Sequence, residues 1–485
     1  MHRISEKIAL SNKLPSNIET TSYARHSIAK VIHLGVGAFH RAHQAAYFDQ
    51  LNEIMPSSPW MILGASLRSD TAAEQLNPQD GLFLHLARGR DKTVARLIRS
   101  LCGVINAFEN PNELARAIAA PSTQLITLSI TEKGYCIDTA TGELDRAHPR
   151  VIHDCANIHE PQTAIGHLVA GLAMRFQSGC NPITILSCDN LADNGALTRN
   201  AVISLASYHS ADLAHWIETT VSFPSSMVDR IAPAVTDEDY AVGRNLLRVD
   251  DLGMSVTEEY TQWVIEDNFA AQRPPLEKVG ATFVRSVRSW EERKLRLLNA
   301  AHSSMAYLGG LAGIEYVHQA IKVSEMRKII YALWQESLQS MENDDNFDAN
   351  TYCQSLINRF SNPSLNHRLQ QIATDGSEKI PARILAPIYE LLKAEKNTIH
   401  LTQVVAAWIH CQWERTFKGG NLIIDDPMSE VFRSVIAESI HDDEKLLDNL
   451  IDSYAPLTEI CMQFPQWRLL LKRTFFDLPK RPLFI

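Results

Sequence analysis

Three residues on one predicted helix carry the types needed for proton-coupled chemistry: Lys294, Asn299 and His302, within WEERKLRLLNAAHSSMAYLGGLAG at residues 290–313. At about 100° per residue, offsets of five and eight set Asn299 roughly 140° and His302 roughly 80° from Lys294, so the three fit one side of a cylinder. A lysine amine there could act as a general base, an amide could donate to a developing oxyanion, and an imidazole could orient a substrate hydroxyl. The same residues also suit a helix whose lysine snorkels to water while Asn and His are satisfied core polars, and periodicity alone favours this second reading.

The element that must position them is a buried or half-buried helix. Leu295, Leu298, Ala301 and Met305 recur at helical spacing, and Gly309, Gly310 and Gly313 supply a stop after Tyr307. A second chemical signal lies far upstream. Residues 1–29 read as a polar, irregular lead-in broken by Pro15; then KVIHL at Lys30 to Leu34 reads as a strand, followed by Gly35-Val36-Gly37 and a helix from Phe39 through Leu51. Strand, glycine turn and helix come in the order a dinucleotide site needs, although His40 stands where a third glycine is usual and a lone G-x-G is common in ligand-free turns. A second strand, Trp60 to Leu67, ends at Arg68-Ser69-Asp70. An acid after that strand can bind the adenosine ribose and repel a 2′-phosphate, whereas an arginine can attract one; Asp70 is the better candidate and favours NAD, with a solvated turn as the other reading of the same residues.

Further strand signals at Thr93 to Ile98, Gln124 to Ile130 and Pro182 to Ser187 alternate with helical runs, which predicts an α/β fold with a mainly parallel sheet. Two of these strands end in polar clusters, Thr131 to Tyr135 and Cys188 to Gly195, at the strand ends where such sheets bind ligands. Asn190 could face a pocket or serve the turn, whereas Asn194 reads as a capping residue. VSFPSSMVDRI carries an Asp229-Arg230 pair after an apolar run. Beyond residue 285 strand signals fade, and helical spacing recurs at Ser324 to Glu342, Tyr352 to Phe360, Ala382 to Lys396 and Leu401 to Trp413, with breaks at SNPS and TDGSEK. The boundary is placed near Ser286, giving domains 1–285 and 286–485.

With 485 residues the chain is too long for one core. Hydrophobic residues at 45% and charged residues at 21% are ordinary for a globular protein, and a formal charge of −10 disfavours nucleic acid or an anionic membrane surface as partner. Eight scattered cysteines without a C-x-x-C pair point to reduced thiols in the cytoplasm. The H-R-A-H run at His40 to His43 lacks the companions of a zinc site, so no metal is expected.

Taken together, VIHLGVGAFHRAHQAAYFDQL, SITEKGYCID, ILSCDNLADNG, MVDRI, QWVIEDNF, KLRLLNAAHSSMAYLG and RFSNPSLNHR through DGSEKIP closely resemble the polyol-specific long-chain dehydrogenases, over about residues 30–415. That family includes mannitol 2-dehydrogenases and fructuronate reductases, also called mannonate oxidoreductases. The resemblance implies a Rossmann-type N-terminal domain, a mainly α-helical C-terminal domain, NAD as hydride carrier and no catalytic zinc. It implies cofactor contacts from Gly35, Val36, Gly37, Ala38 and Phe39, with Arg68 and Asp70 beyond the second strand. Its K-x-x-x-x-N-x-x-H motif falls on Lys294, Asn299 and His302. Lys294 would be the general base of alcohol oxidation, with its pKa lowered by desolvation from near 10.4 to roughly 7 to 9. Asn299 and Asn190 would donate to the alkoxide-like oxygen and His302 would hold a neighbouring hydroxyl. Asp229 and Lys379 would line the polyol site, and Glu291 would assist proton exit. G-M-S-V-T-E-E-Y before Gln262 departs from the family's C-E-P-F, and nothing is assigned there.

Substrate choice turns on two positions. Mannitol enzymes of the family tend to carry a glycine at the position of Lys133 and an arginine at that of Gln371, and this chain resembles the fructuronate reductases at both. Lys133 could pair with a substrate carboxylate, which mannitol lacks, or could be a solvated loop residue. LRSD and QDGLF, near Arg68 and Leu82, look equally at home among mannitol enzymes. The expected partner is a small sugar acid or polyol, with monomer and dimer both open; a non-catalytic NAD or sugar-acid sensor is the remaining alternative.

Overall fold

In a computed structural model, residues 2–10, 14–25, 28–138, 141–342, 347–414, 425–438 and 443–478 are described. By its internal contacts the chain divides into two units, Met1–Trp290 and Glu291–Ile485.

The short apolar runs of the first unit form five parallel strands: β1 Val31–Leu34, β2 Ile62–Ser66, β3 Leu101–Asn106, β4 Leu125–Leu128 and β5 Thr184–Ser187, in the order β3-β2-β1-β4-β5. These strands are apolar nearly throughout because both faces are covered. Ile32, Leu34, Ile126, Leu128 and Ile185 join one core with helices Pro111–Ala119, Ala164–Gln177 and Asn194–Ser207. Val31, Ile62, Leu125 and Leu186 join another with helix Gln44–Ile54. Burying each such side chain contributes about 1.5–3 kcal/mol. The strand order reverses between β1 and β4, and their carboxyl ends open a crevice there. This is a Rossmann-type arrangement.

Several elements differ from the periodicity. The strand Thr93–Ile98 exists but lies outside the parallel sheet: it pairs antiparallel with Phe83–Arg88 in a separate four-stranded sheet. The expected irregular lead-in contains a helix, Glu6–Leu10, and a short strand, Ile18–Glu19, paired with Ala95 and Arg96. Polar anchoring explains this order, since the buried Arg25 donates to the carbonyls of Arg99 at 2.8 Å and Leu101 at 2.6 Å. The helix expected from Phe39 through Leu51 is two helices, Ala38–Ala42 and Gln44–Ile54. His43 breaks it, and its Nε2 is 2.9 Å from the Gln262 carbonyl oxygen.

The second unit is helical among its described residues. Ser324–Gln339, Ala349–Phe360 and Ile399–Glu414 fall where helical spacing predicts them. TDGSEK is a break only at its start, because helix Gly376–Ile380 begins directly after Asp375, which is left-handed at φ +52°. Only glycine fits at 376, where a Cβ would lie 2.6 Å from both Trp408 Nε1 and the Tyr307 hydroxyl.

Candidate active site

The crevice at the head of β1 and β4 is a cleft of about 660 Å³ whose wall includes Gly35, Val36, Gly37 and Ala38. Gly35 sits at φ +92°, and a Cβ there would meet the Ser129 carbonyl oxygen at 2.2 Å, so the turn from β1 passes against the end of β4 only as glycine. The first N–H groups of helix Ala38–Ala42 follow directly and have no intrahelical partner. Below the turn, His33 bonds Thr127 Oγ1 at 2.7 Å and Ser129 Oγ at 2.8 Å and stacks on His40 at 3.5 Å. Burial lowers His33 to about 3, so the ring is neutral. A glycine turn, free helix amides and a volume within the usual ligand range fit a dinucleotide.

Not every expected cofactor residue reaches this wall. Arg68 lines it together with Ser66, Leu67 and Ser69. Asp70 instead takes the N-cap position of helix Thr71–Leu76 and is not part of the wall among the described residues. Phe39 is also absent from the wall and stacks on His43 at 5.2 Å. Lys133, in an exposed turn beyond β4, lines the same cleft as the glycine turn.

Beyond β5 the polar cluster is organised by a residue the spacing did not single out. Asp189 accepts from the amides of Ile130 and Thr131, both at 2.9 Å, and from the Tyr135 hydroxyl at 2.7 Å, tying the ends of β4 and β5 together. Burial pushes its carboxyl up while these bonds pull it down, with burial the larger effect. Asn190 follows on the exposed side. Asn194 is structural: its amide donates to the carbonyls of Asp189 at 3.0 Å and Ser226 at 2.8 Å and accepts from Ser226 N at 3.0 Å. Asp229 is buried at the end of strand Ser226–Asp229, opposite Gln262 in an antiparallel pair.

In the helical unit the lysine, amide and imidazole do not sit on a uniform α-helix. Lys294–Asn299 is a π-helical segment, Ala300–Ser304 is α-helical and Met305–Gly309 is π-helical again. The Ala300 amide reaches back five residues to the Leu295 carbonyl. A wider turn rotates less per residue than an α-helix, so Asn299 falls nearer a full turn from Lys294 than the 100° wheel predicts. Trp334 Nε1 donates to the Leu297 carbonyl at 2.8 Å within the first wide turn, and Cys411 Sγ lies 3.8 Å from the Tyr307 carbonyl in the second.

Asn299 and His302 are each 6% exposed, and among the described residues Asn299 Nδ2 and His302 Nε2 have no hydrogen-bond partner. Buried polar atoms without partners are uncommon and cost about 1–3 kcal/mol each, so a pair of them marks a place for a polar ligand. The His302 ring packs on Phe360 at 4.8 Å and His367 at 5.3 Å. Burial first, then His367 and the cations Arg359, Arg383 and Lys294, hold His302 well below the usual imidazole range. Lys294 is half-buried and Glu291 is buried.

Lys379 Nζ donates to the Thr374 carbonyl at 2.6 Å, while Gln371 is exposed and its carbonyl accepts from Thr374 Oγ1 at 2.9 Å. His367 and Arg383 complete the surroundings of the trio, the latter donating to Ser303 Oγ at 3.3 Å. His367 lies in the SLNHR stretch and Asp189 in SCDN, so a polar residue beside each motif asparagine was the available signal. Among the described residues no group of three His, Cys, Asp or Glu side chains is arranged to hold a metal.

Two family models cover most of the chain: one described as mannitol dehydrogenase Rossmann domain matches residues 29–278, and one described as mannitol dehydrogenase C-terminal domain matches residues 286–459. The chain belongs to the mannitol dehydrogenase family of oxidoreductases. Within this family it is 39% identical to a D-mannonate oxidoreductase of Escherichia coli, over 84% of this chain and 85% of the relative. It is 37% identical to a mannitol 2-dehydrogenase of Pyrenophora tritici-repentis, over 87% of this chain and 76% of that one. A solved structure, Pseudomonas fluorescens mannitol 2-dehydrogenase in ternary complex with NAD and D-mannitol, superposes with a TM-score of 0.89 at 32% identity, covering 99% of this chain and 98% of the other. The mannitol dehydrogenase family thus accounts for both units.

Proposed function

We propose that this protein is an NAD-dependent, zinc-independent secondary-alcohol dehydrogenase that interconverts D-mannonate and D-fructuronate. The observation that carries the dehydrogenase reading is the Lys294 helix with its two unpartnered polar atoms, Asn299 Nδ2 and His302 Nε2. NAD, when bound, takes up or returns the hydride at the substrate carbon. Gly35, Val36, Gly37 and Ala38 would hold its pyrophosphate at the mouth of the cleft.

The residues supply the rest. Lys294 removes the hydroxyl proton during oxidation and gives it back to the carbonyl oxygen during reduction. Asn299 donates from Nδ2 to the oxygen that gains charge, which is worth most when the donor is fixed and has no competing partner. His302, held neutral by burial and by neighbouring cations, donates or accepts through Nε2 at an adjacent hydroxyl. Asn190, Asp229, Lys379 and Gln371 keep the contacts that the motif match assigns them, and Glu291 the proton path.

Lys133 and Gln371, with the relative named D-mannonate oxidoreductase, support the sugar acid as substrate. The similar identity to mannitol 2-dehydrogenases favours D-mannitol and D-fructose as the second reading. The test is steady-state reduction of fructuronate against fructose at fixed NADH, repeated with Lys133→Ala. A fructuronate preference of about 100-fold, or about 2.7 kcal/mol, erased by the substitution supports the carboxylate contact. Preference for fructose makes the protein a mannitol 2-dehydrogenase. A rise only in the KM for NADH moves Lys133 from the substrate to the nucleotide, in keeping with its position in the cleft wall.

A further inference from the structure

We propose that the cleft of the nucleotide unit accepts NADP(H) as well as NAD(H), with Arg68 and Arg150 taking the 2′-phosphate. The proposal rests on the dinucleotide reading above and extends it to the chemistry of the adenosine end. In a Rossmann-type sheet the adenosine ribose lies beyond the carboxyl end of β2, where an acid selects against a 2′-phosphate and an arginine accommodates it. Here the wall beyond β2 is built from Ser66, Leu67, Arg68 and Ser69, and Arg68 is the charged member. The acid that would exclude a phosphate, Asp70, is outside the wall at the start of helix Thr71–Leu76.

A second guanidinium comes from a different element. Arg150, in the first turn of helix Pro149–Ala156, lines the same cleft. Both guanidiniums act electrostatically on the thiol of Cys136, which also lines the cleft, so the two share one neighbourhood. Asp145 and Asp154 act on that thiol as well. Asp154 is committed elsewhere, accepting from the amides of Gln162 and Thr163 and from Thr163 Oγ1, and Asp145 accepts from the Ala147 amide. Neither is in the wall.

Charge balance supports the same conclusion. The wall holds Arg41, Arg68, Lys133 and Arg150 and no carboxylate among the described residues. The pyrophosphate of NAD carries two negative charges, toward which the glycine turn and Arg41, on the helix directly after it, contribute, while Lys133 is assigned to the substrate above. Arg68 and Arg150 remain, and among the described residues neither guanidinium has an ion pair or a hydrogen bond. Two forked donors without an acceptor match a phosphate dianion.

The test compares kcat/KM for NADPH and NADH with the full-length protein and its best substrate, alongside equilibrium binding of NADP+ and NAD+ followed by calorimetry. The expected result is NADPH efficiency within about 100-fold of NADH, with the NADPH-to-NADH ratio falling at least tenfold in both Arg68→Ala and Arg150→Ala and recovering in part in Arg68→Lys. An NADPH efficiency more than about 1,000-fold below NADH, or an equal loss of both coenzymes in Arg68→Ala, would overturn the assignment. If no substrate turns over, binding decides: NADP+ within tenfold of NAD+ upholds the phosphate site even as the dehydrogenase reading falls, and NAD+ binding alone rejects it.

Discussion

Two polar clusters, one in each unit, treat their buried groups in opposite ways. At the strand ends of the nucleotide unit, Asp189 accepts three hydrogen bonds and Asn194 takes part in three, so the tie between β4, β5 and their neighbours is made before any ligand arrives. On the helix of the second unit, Asn299 and His302 are also buried, yet among the described residues each keeps a nitrogen without a partner. The first arrangement fixes a shape; the second stores unspent hydrogen-bonding capacity. A polar group held dry and unpaired has more to gain from a charge that appears during reaction than one already satisfied.

The contrast is open to mutation. Lys294→Ala should cost most, lowering kcat about 1,000-fold or more while leaving the thermal midpoint near that of the parent, checked by stopped-flow turnover and calorimetry. Asn299→Ala should lower kcat about 100-fold or more and change folding stability little, because its Nδ2 makes no bond to lose; a destabilisation beyond about 2 kcal/mol would show the amide to be structural after all. Asp189→Ala should do the reverse, destabilising by about 3 kcal/mol through three orphaned donors, read from the urea midpoint.

Acid should separate the units further. Burial lowers His33 to about 3 and His167 to about 4 in the nucleotide unit, and His367 to about 4 in the helical one. Each is neutral when folded, so below the ordinary value near 6.5 the unfolded chain gains protons that the folded chain does not. Stability is therefore complete above that value and falls toward each folded value, at up to about 1.4 kcal/mol per pH unit per histidine. Urea titrations between pH 7 and 4 should show the steeper loss in the nucleotide unit. The smallest effect is expected from Trp334→Phe, which keeps the ring and removes the donor to Leu297, with a cost of about 1 kcal/mol and a fall in kcat larger than any change in the KM for coenzyme.

Much of the nucleotide unit was legible because its signals are local. An apolar run of four residues, a glycine pair and a polar strand end each declare themselves, and β1, β2, β4 and β5 fall inside the predicted runs. Phe83–Arg88 and Leu101–Asn106 escaped notice because they flank Thr93–Ile98 in one nearly continuous β-rich stretch, and only pairing divides it between two sheets. In the helical unit the lengths of the main helices were legible but their pitch was not. No glycine or proline interrupts Lys294 to Asn299, so nothing in that stretch announces a wide turn. The bond from Trp334 comes from a helix beginning thirty residues later in the chain, beyond the reach of any periodicity. Asp70 lies outside the cleft wall for a related reason: adjacency to a strand end does not say which side of the turn a side chain takes.

The wide turn also makes the motif a ruler. Four residues separate the lysine from the asparagine, a spacing suited to the π-helical segment. In an uninterrupted α-helix, neighbours on one face are three or four positions apart, so a chain with one residue fewer between Lys294 and Asn299 would set an amide above a lysine with no distortion at all. Removing Leu295 is then a more informative lesion than replacing it, because it trades helical strain for a shift in every downstream residue, His302 included, and asks whether register or reach matters more to turnover.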